Sequence, residues 1–387
     1  MAERRGANRA WVIVILMMLA AVFAVMFALD VFGVPRPSGR DASGEAALTE
    51  TGLSARFDSS ANTLAAASPS GLYAVTKDGV RLFDHSLTET RAAAFNLTDP
   101  EITIRGDVAG IWEYEGRAAF VFTPDGILRR IDCSDPIINM SVGANGSAAV
   151  ITRAGAGYRL SATDKAGNEL KRGVFDKGNK YPTGAALSPD GKWLAVAFLD
   201  IVGARMNASL AFTRLDSGAS FEYADSVAAS LGSNPDEIIA DTRFSPDGGA
   251  LYAATDKRLF RVDMDAPSAE KWSYSFGGEV SAFAFDGDYG AAAAVGGKVA
   301  YISLETGGEL WNAEVSERKA VTFLSADGGV VAGADGMFAA FARDGAELWR
   351  WSAAGGNAAL YFFGNTARAV VVDKEEARVL EAGNKKE

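Results

Sequence analysis

The chain repeats itself about eight times: a short apolar strand runs into a Gly/Pro/Asp turn, and a second apolar strand follows. The turns read SPSG (Ser68–Gly71), GANG (Gly143–Gly146), SPDG (Ser188–Gly191), SPDG (Ser245–Gly248), DGDYG (Asp286–Gly290) and SADG (Ser325–Gly328). RGDV (Arg105–Val108) and GNTA (Gly364–Ala367) are weaker copies in the same slots. The residues before the turns are Ala67, Ile104, Val142, Leu187, Phe244, Phe285, Leu324 and Phe363, so successive copies are 37, 38, 45, 57, 41, 39 and 39 residues apart. Four-stranded blades recur at such periods around an axis.

The last copies show the unit in full. Val280–Phe285, Ala291–Val295, Val299–Ile302 and Glu309–Ala313 read as strands A to D, and Val321–Leu324, Val330–Ala332, Met337–Phe341 and Glu347–Trp351 repeat them. The C–D turns carry glycine, as in Asp125-Gly126, Thr306-Gly307 and Asp344-Gly345. Short strands with glycine turns at regular spacing predict an all-β eight-bladed β-propeller of four-stranded antiparallel blades. A seven-bladed ring is the alternative, because ANTLAAASP before the first turn is a weak strand A. The final copy, Ala358–Phe363, Arg368–Val372 and Arg378–Leu380, stops after strand C. A bare edge invites pairing with other chains, so the stretch Thr51–Phe57 is expected to supply the missing strand D and close the ring.

Composition removes several function classes. One cysteine, Cys133, rules out an intrachain disulfide and a cysteine-rich metal site. The one histidine, His85, lies in what reads as a strand end and turn, with no nucleophile–base constellation around it. No cofactor and no metal site are expected. The net charge of −11 argues against nucleic-acid binding.

The N-terminus carries a different signal. Ala10–Leu29 is twenty residues without a charge, long enough at about 1.5 Å rise to cross the ~30 Å hydrocarbon core. Arg4, Arg5 and Arg9 precede it, which puts residues 1–9 in the cytoplasm and the body outside the cell membrane. A cleaved signal peptide is the competing reading; its apolar region is usually shorter and ends in an Ala-x-Ala site. The expected organisation is a cytoplasmic tail (1–9), a single transmembrane helix (10–34), a Pro/Gly/Ser linker (35–50), the propeller (51–383) and a short tail (384–387).

Three D strands end alike: SAEKW (Ser268–Trp272), TGGELW (Thr306–Trp311) and DGAELW (Asp344–Trp349). Trp272, Trp311 and Trp349 are read as inter-blade wedges, since a flat side chain there buries about 150–250 Å². TGGELWNAEV and its copies resemble the tryptophan-docking repeats of quinoprotein-like (PQQ-repeat) eight-bladed propellers. That group includes PQQ-dependent dehydrogenases and the propeller lipoprotein of the outer-membrane barrel-assembly machinery. SPDGKWLAVAF and SPDGGALYAAT resemble TolB-type and WD40-like repeats. Anchor and propeller together resemble a family of single-pass membrane proteins of Gram-positive bacteria known only as a domain of unknown function. Many PQQ dehydrogenases carry an adjacent cysteine pair, whereas Cys133 stands alone here.

Two connections are longer than their counterparts: the B–C connection Leu199–Ala208 and the D–A connection Asp225–Glu237. B–C and D–A loops project from one face of a propeller, so both are expected on that face, where long loops on a rigid scaffold carry binding. Asp200, Arg205, Asn207, Asn234 and Asp236 are its candidate binding residues. The expected function is a non-catalytic, membrane-tethered, extracytoplasmic scaffold or sensor that binds an envelope protein or ligand there. The alternative is a propeller enzyme with a central-channel site, either a quinoprotein-type oxidoreductase or a carboxylate-based hydrolase or lyase.

Overall fold

The computed structural model of the protein describes residues 46–57, 63–155, 157–176, 180–202, 205–215, 221–222, 236–287, 289–315, 321–322, 329–334, 337–352 and 359–383. The chain divides into two compact units, Met1–Gly44 and Glu45–Glu387. The first, with the expected cytoplasmic tail, membrane span and most of the linker, lies outside the described residues, as does the tail 384–387. Among the described residues no helix is long and apolar enough to cross a membrane.

The second unit is a ring of eight blades. Blade 1 is built from Leu64–Ser68, Gly71–Thr76, Gly79–Phe83 and Glu89–Ala94, and blade 2 from Pro100–Arg105, Val108–Glu113, Ala118–Phe122 and Leu128–Asp132. Blade 3 comprises Ile137–Val142, Ala148–Ala154, Gly157–Thr163 and Glu169–Asp176. In blade 4 the sheet contains Lys180–Leu187, Trp193–Val202 and Arg205–Arg214, while the short strand Phe221–Glu222 pairs in parallel with strand D of blade 3. Blade 5 is Ile239–Phe244, Ala250–Thr255, Arg258–Asp263 and Glu270–Ser275; blade 6 is Val280–Asp286, Gly290–Val295, Lys298–Ser303 and Glu309–Glu314. Blade 7 is Val321–Thr322, Val330–Ala334, Met337–Phe341 and Glu347–Ser352.

Blade 8 takes strands A to C, Ala359–Phe363, Asn365–Val372 and Glu376–Ala382, from the end of the chain and strand D, Ala46–Arg56, from its beginning. Ser54 faces Arg378 and Glu50 faces Leu380, with a bulge between them. The closing strand begins at Ala46, so the last residues of the expected linker belong to it. Thr51 Oγ1 donates to Val379 O at 3.0 Å, and Arg378 pairs with Glu50 at 2.6 Å. Ala46 and Ala47 also pair in parallel with Trp349 and Arg350 of blade 7, so one strand binds two blades together.

The core is a circle of seams rather than a centre. Apolar clusters fill the junctions 1–2, 2–3, 3–4, 4–5, 5–6, 6–7, 7–8 and 8–1. Strand B supplies the most buried residues, such as Ala250–Ala254 and Ala291–Ala293, because it is covered on both faces. Small residues there let adjacent sheets approach. The 8–1 junction is as well filled as the others, with Phe57, Phe83, Phe363 and Val370, which settles eight blades over seven.

Candidate functional site

Antiparallel blades put A–B and C–D turns on one face of the ring and B–C and D–A connections on the other. The second face is unlike the first over blades 2 to 5. The expected B–C loop Leu199–Ala208 is not a loop: its residues extend two ten-residue strands, paired from Trp193↔Arg214 to Val202↔Arg205. The alternation Leu199, Ile201 and Met206, Ala208 explains this correction, since a period of two continues the ladder. Asp200 lies opposite Asn207 on this hairpin. The Asp200 carboxylate accepts from Ser209 Oγ at 2.7 Å and lies 3.6 Å from Lys180 Nζ. Arg205 is exposed and Asn207 half-buried. Asn234 lies outside the described residues, as does the rest of 225–235 of the second insertion.

Asp236 joins the two segments. Its N–H donates to Met206 O at 2.7 Å, and its carbonyl accepts from Lys257 Nζ. Glu237 turns inward behind it. Arg258 bonds Glu237 at 2.9 Å and Glu270 at 2.7 Å, with its guanidinium 4.5 Å from the Phe260 ring centre. Burial pulls the Arg258 guanidinium down, but the bonds to Glu270 and Glu237 outweigh it and hold it above its ordinary value. Ser209, Glu237, Thr255 and Arg258 line a crevice with room for about one water. This cluster is a rigid base for the hairpin, since a buried ion pair needs every partner in place.

Sequence reasoning missed the apolar part of this face. Tyr114 is 53% exposed, Met206 44%, Ile238 39% and Tyr181 36%. They lie in blades 2, 4, 5 and 4, all at the B–C/D–A end. Arg153 of blade 3 ties Tyr114 in, bonding Glu115 at 2.7 Å and Tyr114 OH at 3.3 Å. Tyr158 meets Tyr181 edge-on at 6.4 Å. Burial, and then the neighbouring Tyr181, raise the Tyr158 phenol above its ordinary value. Glu115 adopts φ of 62°, a strained value outside glycine. The signal in the sequence was a tyrosine in each of two strand-end positions, where a turn residue is usual. Among the described residues no group of three His, Cys, Asp or Glu side chains is placed to hold a metal ion.

The tryptophans sit at the seams. Trp272 of blade 5 packs over Gly307 of blade 6, where a Cβ would come within 2.5 Å of the indole; Trp311 of blade 6 covers Gly345 of blade 7 in the same way, at 2.8 Å. Both glycines have positive φ, 73° and 88°. Trp311 Nε1 donates to Arg343 O at 2.8 Å, and Trp349 Nε1 to Thr366 O of blade 8 at 3.0 Å. A bulge precedes each tryptophan: Glu309 faces Ile302 but Trp311 faces Tyr301, and blades 5 and 7 do the same.

This architecture defines a PQQ-like β-propeller. The chain belongs to a family of unknown function (DUF5711), whose pattern matches residues 51–298. A second pattern, described as outer membrane protein assembly factor BamB, matches residues 249–385. Among solved structures, the computationally designed Ika8 protein is similar at 15% identity and a TM-score of 0.57, covering 87% of this chain and 100% of that one. BamB from Moraxella catarrhalis is similar at 17% identity and 0.51, over 86% and 99%. Apo AztD from Citrobacter koseri is similar at 12% and 0.50, over 76% and 87%. These likenesses are of fold alone. No curated protein matches the chain.

Proposed function

We propose that the protein is a non-catalytic protein-interaction scaffold whose docking surface is the B–C/D–A face of blades 2 to 5. The observation that carries this reading is the gathering of Tyr114, Tyr181, Met206 and Ile238, all exposed, on one sector of one face. Contiguous exposed apolar side chains on a rigid support mark interaction sites, and tyrosine contributes contact area at low entropy cost. The BamB-like half of the ring supports a scaffold role by analogy. In this reading Ala10–Leu29 tethers the propeller to the cell membrane, with residues 1–9 cytoplasmic and the propeller outside. The partner is an envelope protein or ligand bound through the hairpin Asp200–Asn207 and Asp236.

Affinity capture from membranes tests the docking reading. A Tyr114→Asp/Met206→Asp variant with an unchanged melting temperature should lose the wild-type partner. Retention of that partner at wild-type yield would end the assignment of this face. Protease added to intact protoplasts should digest the propeller; full protection would contradict the topology.

A further inference from the structure

Arg105 closes strand A of blade 2, at the ring axis. Its Nη2 reaches Asp241 Oδ1 at 3.0 Å and Thr242 O at 3.3 Å, both in strand A of blade 5. Blades 3 and 4 lie between, so the contact spans the central channel rather than a seam. The acceptor side is built to receive it: the Thr242 N–H donates to Asp241 Oδ1 at 2.7 Å, which fixes the carboxylate, and Thr242 itself is buried. By contrast, Asn139 Nδ2 to Thr183 O between blades 3 and 4, and Tyr361 OH to Ala65 O between blades 8 and 1, join neighbours.

We propose that Arg105 is a cross-channel strap. It obstructs the channel at the level of Asp241 and sets the opening between blades 2 and 5. Those two blades carry the outer ends of the docking sector, Tyr114 and Ile238. A guanidinium suits this role because one planar group bonds a carboxylate and a carbonyl together. Sheets are stiff and seams close-packed, so a constraint at the axis is transmitted to the rim. The strap therefore positions the docking face without touching a partner. This rests on the docking reading for its significance, but the strap itself is measurable without any partner.

The experiment is a distance measurement between spin labels at Tyr114→Cys and Ile238→Cys in the full-length chain, with Cys133→Ser as background. The unaltered strap should give one narrow distance distribution. Arg105→Ala should shift and broaden it, and the exchange Arg105→Asp/Asp241→Arg should narrow it again. An Arg105→Ala distribution that matches the parent would overturn the strap. Should Arg105→Ala fail to fold, Arg105→Lys, which keeps the charge and loses the second bond, should give an intermediate width; a parental width there would equally overturn the strap. Since no partner is present, loss of the docking reading would leave this result standing, and the reverse.

Discussion

Blades 5 to 7 and blades 1 to 3 solve the same packing problem with different side chains. In the later blades Trp272 and Trp311 lie over the C–D glycine of the next blade, and Trp349 bonds blade 8. In the earlier blades arginine takes that place. Arg91 of blade 1 packs on Gly126 of blade 2, and Arg129 of blade 2 on Gly167 of blade 3, with its guanidinium bonding Thr163 Oγ1 and Gly146 O. At the ring closure Leu87 of blade 1 stands in the glycine slot, at φ of 56°, and fills the seam itself beside Ala55 and Phe57. The BamB-like pattern covers 249–385, the part that carries the wedges Trp272, Trp311 and Trp349. Tyr114 and Tyr181, the long hairpin and the strap fall in blades 2 to 5. The difference separates a generic closure device from the sector in which this chain is particular. Trp349 is fully buried and Trp272 and Trp311 half-buried, whereas an arginine wedge buries its stem and keeps its head in water.

The largest expected effect falls where the halves meet. Deleting residues through Arg56 removes strand D of blade 8 and its parallel contact to blade 7, and bares the edge Glu376–Ala382. Gel filtration should show aggregation and denaturant titration no cooperative transition. A monomeric, cooperatively unfolding product would mean that the closing strand is dispensable.

Next comes the wedge comparison. Trp349→Ala empties a site that is 1% exposed and removes the bond to Thr366 O; truncation of a buried aromatic costs about 3–5 kcal/mol. Arg91→Ala at the corresponding position, where the side chain is exposed, should cost about 0.5 kcal/mol. Equal losses in urea titrations would erase the distinction between the halves.

A smaller effect concerns pH, and each half contributes a tyrosine. Burial raises the phenols of Tyr73 and Tyr301 far above their ordinary value, with Asp107 adding to the first and the bond to Asp286 to the second. The folded state holds these groups neutral while the unfolded chain ionises near pH ~10, so stability falls as pH rises past that value. Melting temperature should drop more steeply above pH ~10 in the parent than in Tyr73→Phe. In acid the sign reverses. Glu309 is held below its usual range by the bonds from Tyr274 and Asn312. Its contribution is present above the ordinary carboxylate value and is lost as pH falls through the lowered one. Glu309→Gln should therefore flatten the acid limb, and an unchanged slope would remove Glu309 from the account.

The smallest effect is at Cys133. Burial, and then Asp132 and Asp135, push its thiol up to about 11. It should resist alkylation at pH ~8, where an ordinary thiol is partly ionised. Rapid labelling would show that the 2–3 seam opens.

The repeat, the blade count and the closing strand were legible because each leaves a local, periodic trace. Tryptophan wedges stood out for the same reason. Arg91 and Arg129 did not, although Arg91 lies four residues after Leu87 as Trp349 lies four after Gly345, because an arginine on a D strand reads as an ordinary surface charge. Arg129 lies only three after Gly126, because blade 2 lacks the bulge. From sequence this hairpin reads as a loop, because Gly203 interrupts the apolar alternation between Leu199 and Ala208. The strap joins residues 136 apart across the axis, and no spacing rule marks such a pair. Of the candidate residues, Asp200 proved to be tied to Ser209 and Lys180, and Asp236 to act through its backbone. The apolar residues beside them were invisible because burial, not composition, distinguishes an exposed tyrosine from a core one.

The most direct test of the central claim is site-specific photocrosslinking in intact cells. A photoreactive phenylalanine analogue is placed at Met206 and Ile238 on the proposed docking face, and at Ile127 and Tyr289, which are exposed at the opposite face. Met206 and Ile238 should give the same discrete adduct, and Ile127 and Tyr289 none. Adducts confined to Ile127 and Tyr289, or formed equally at all four positions, would contradict the assignment of function to the B–C/D–A face of blades 2 to 5.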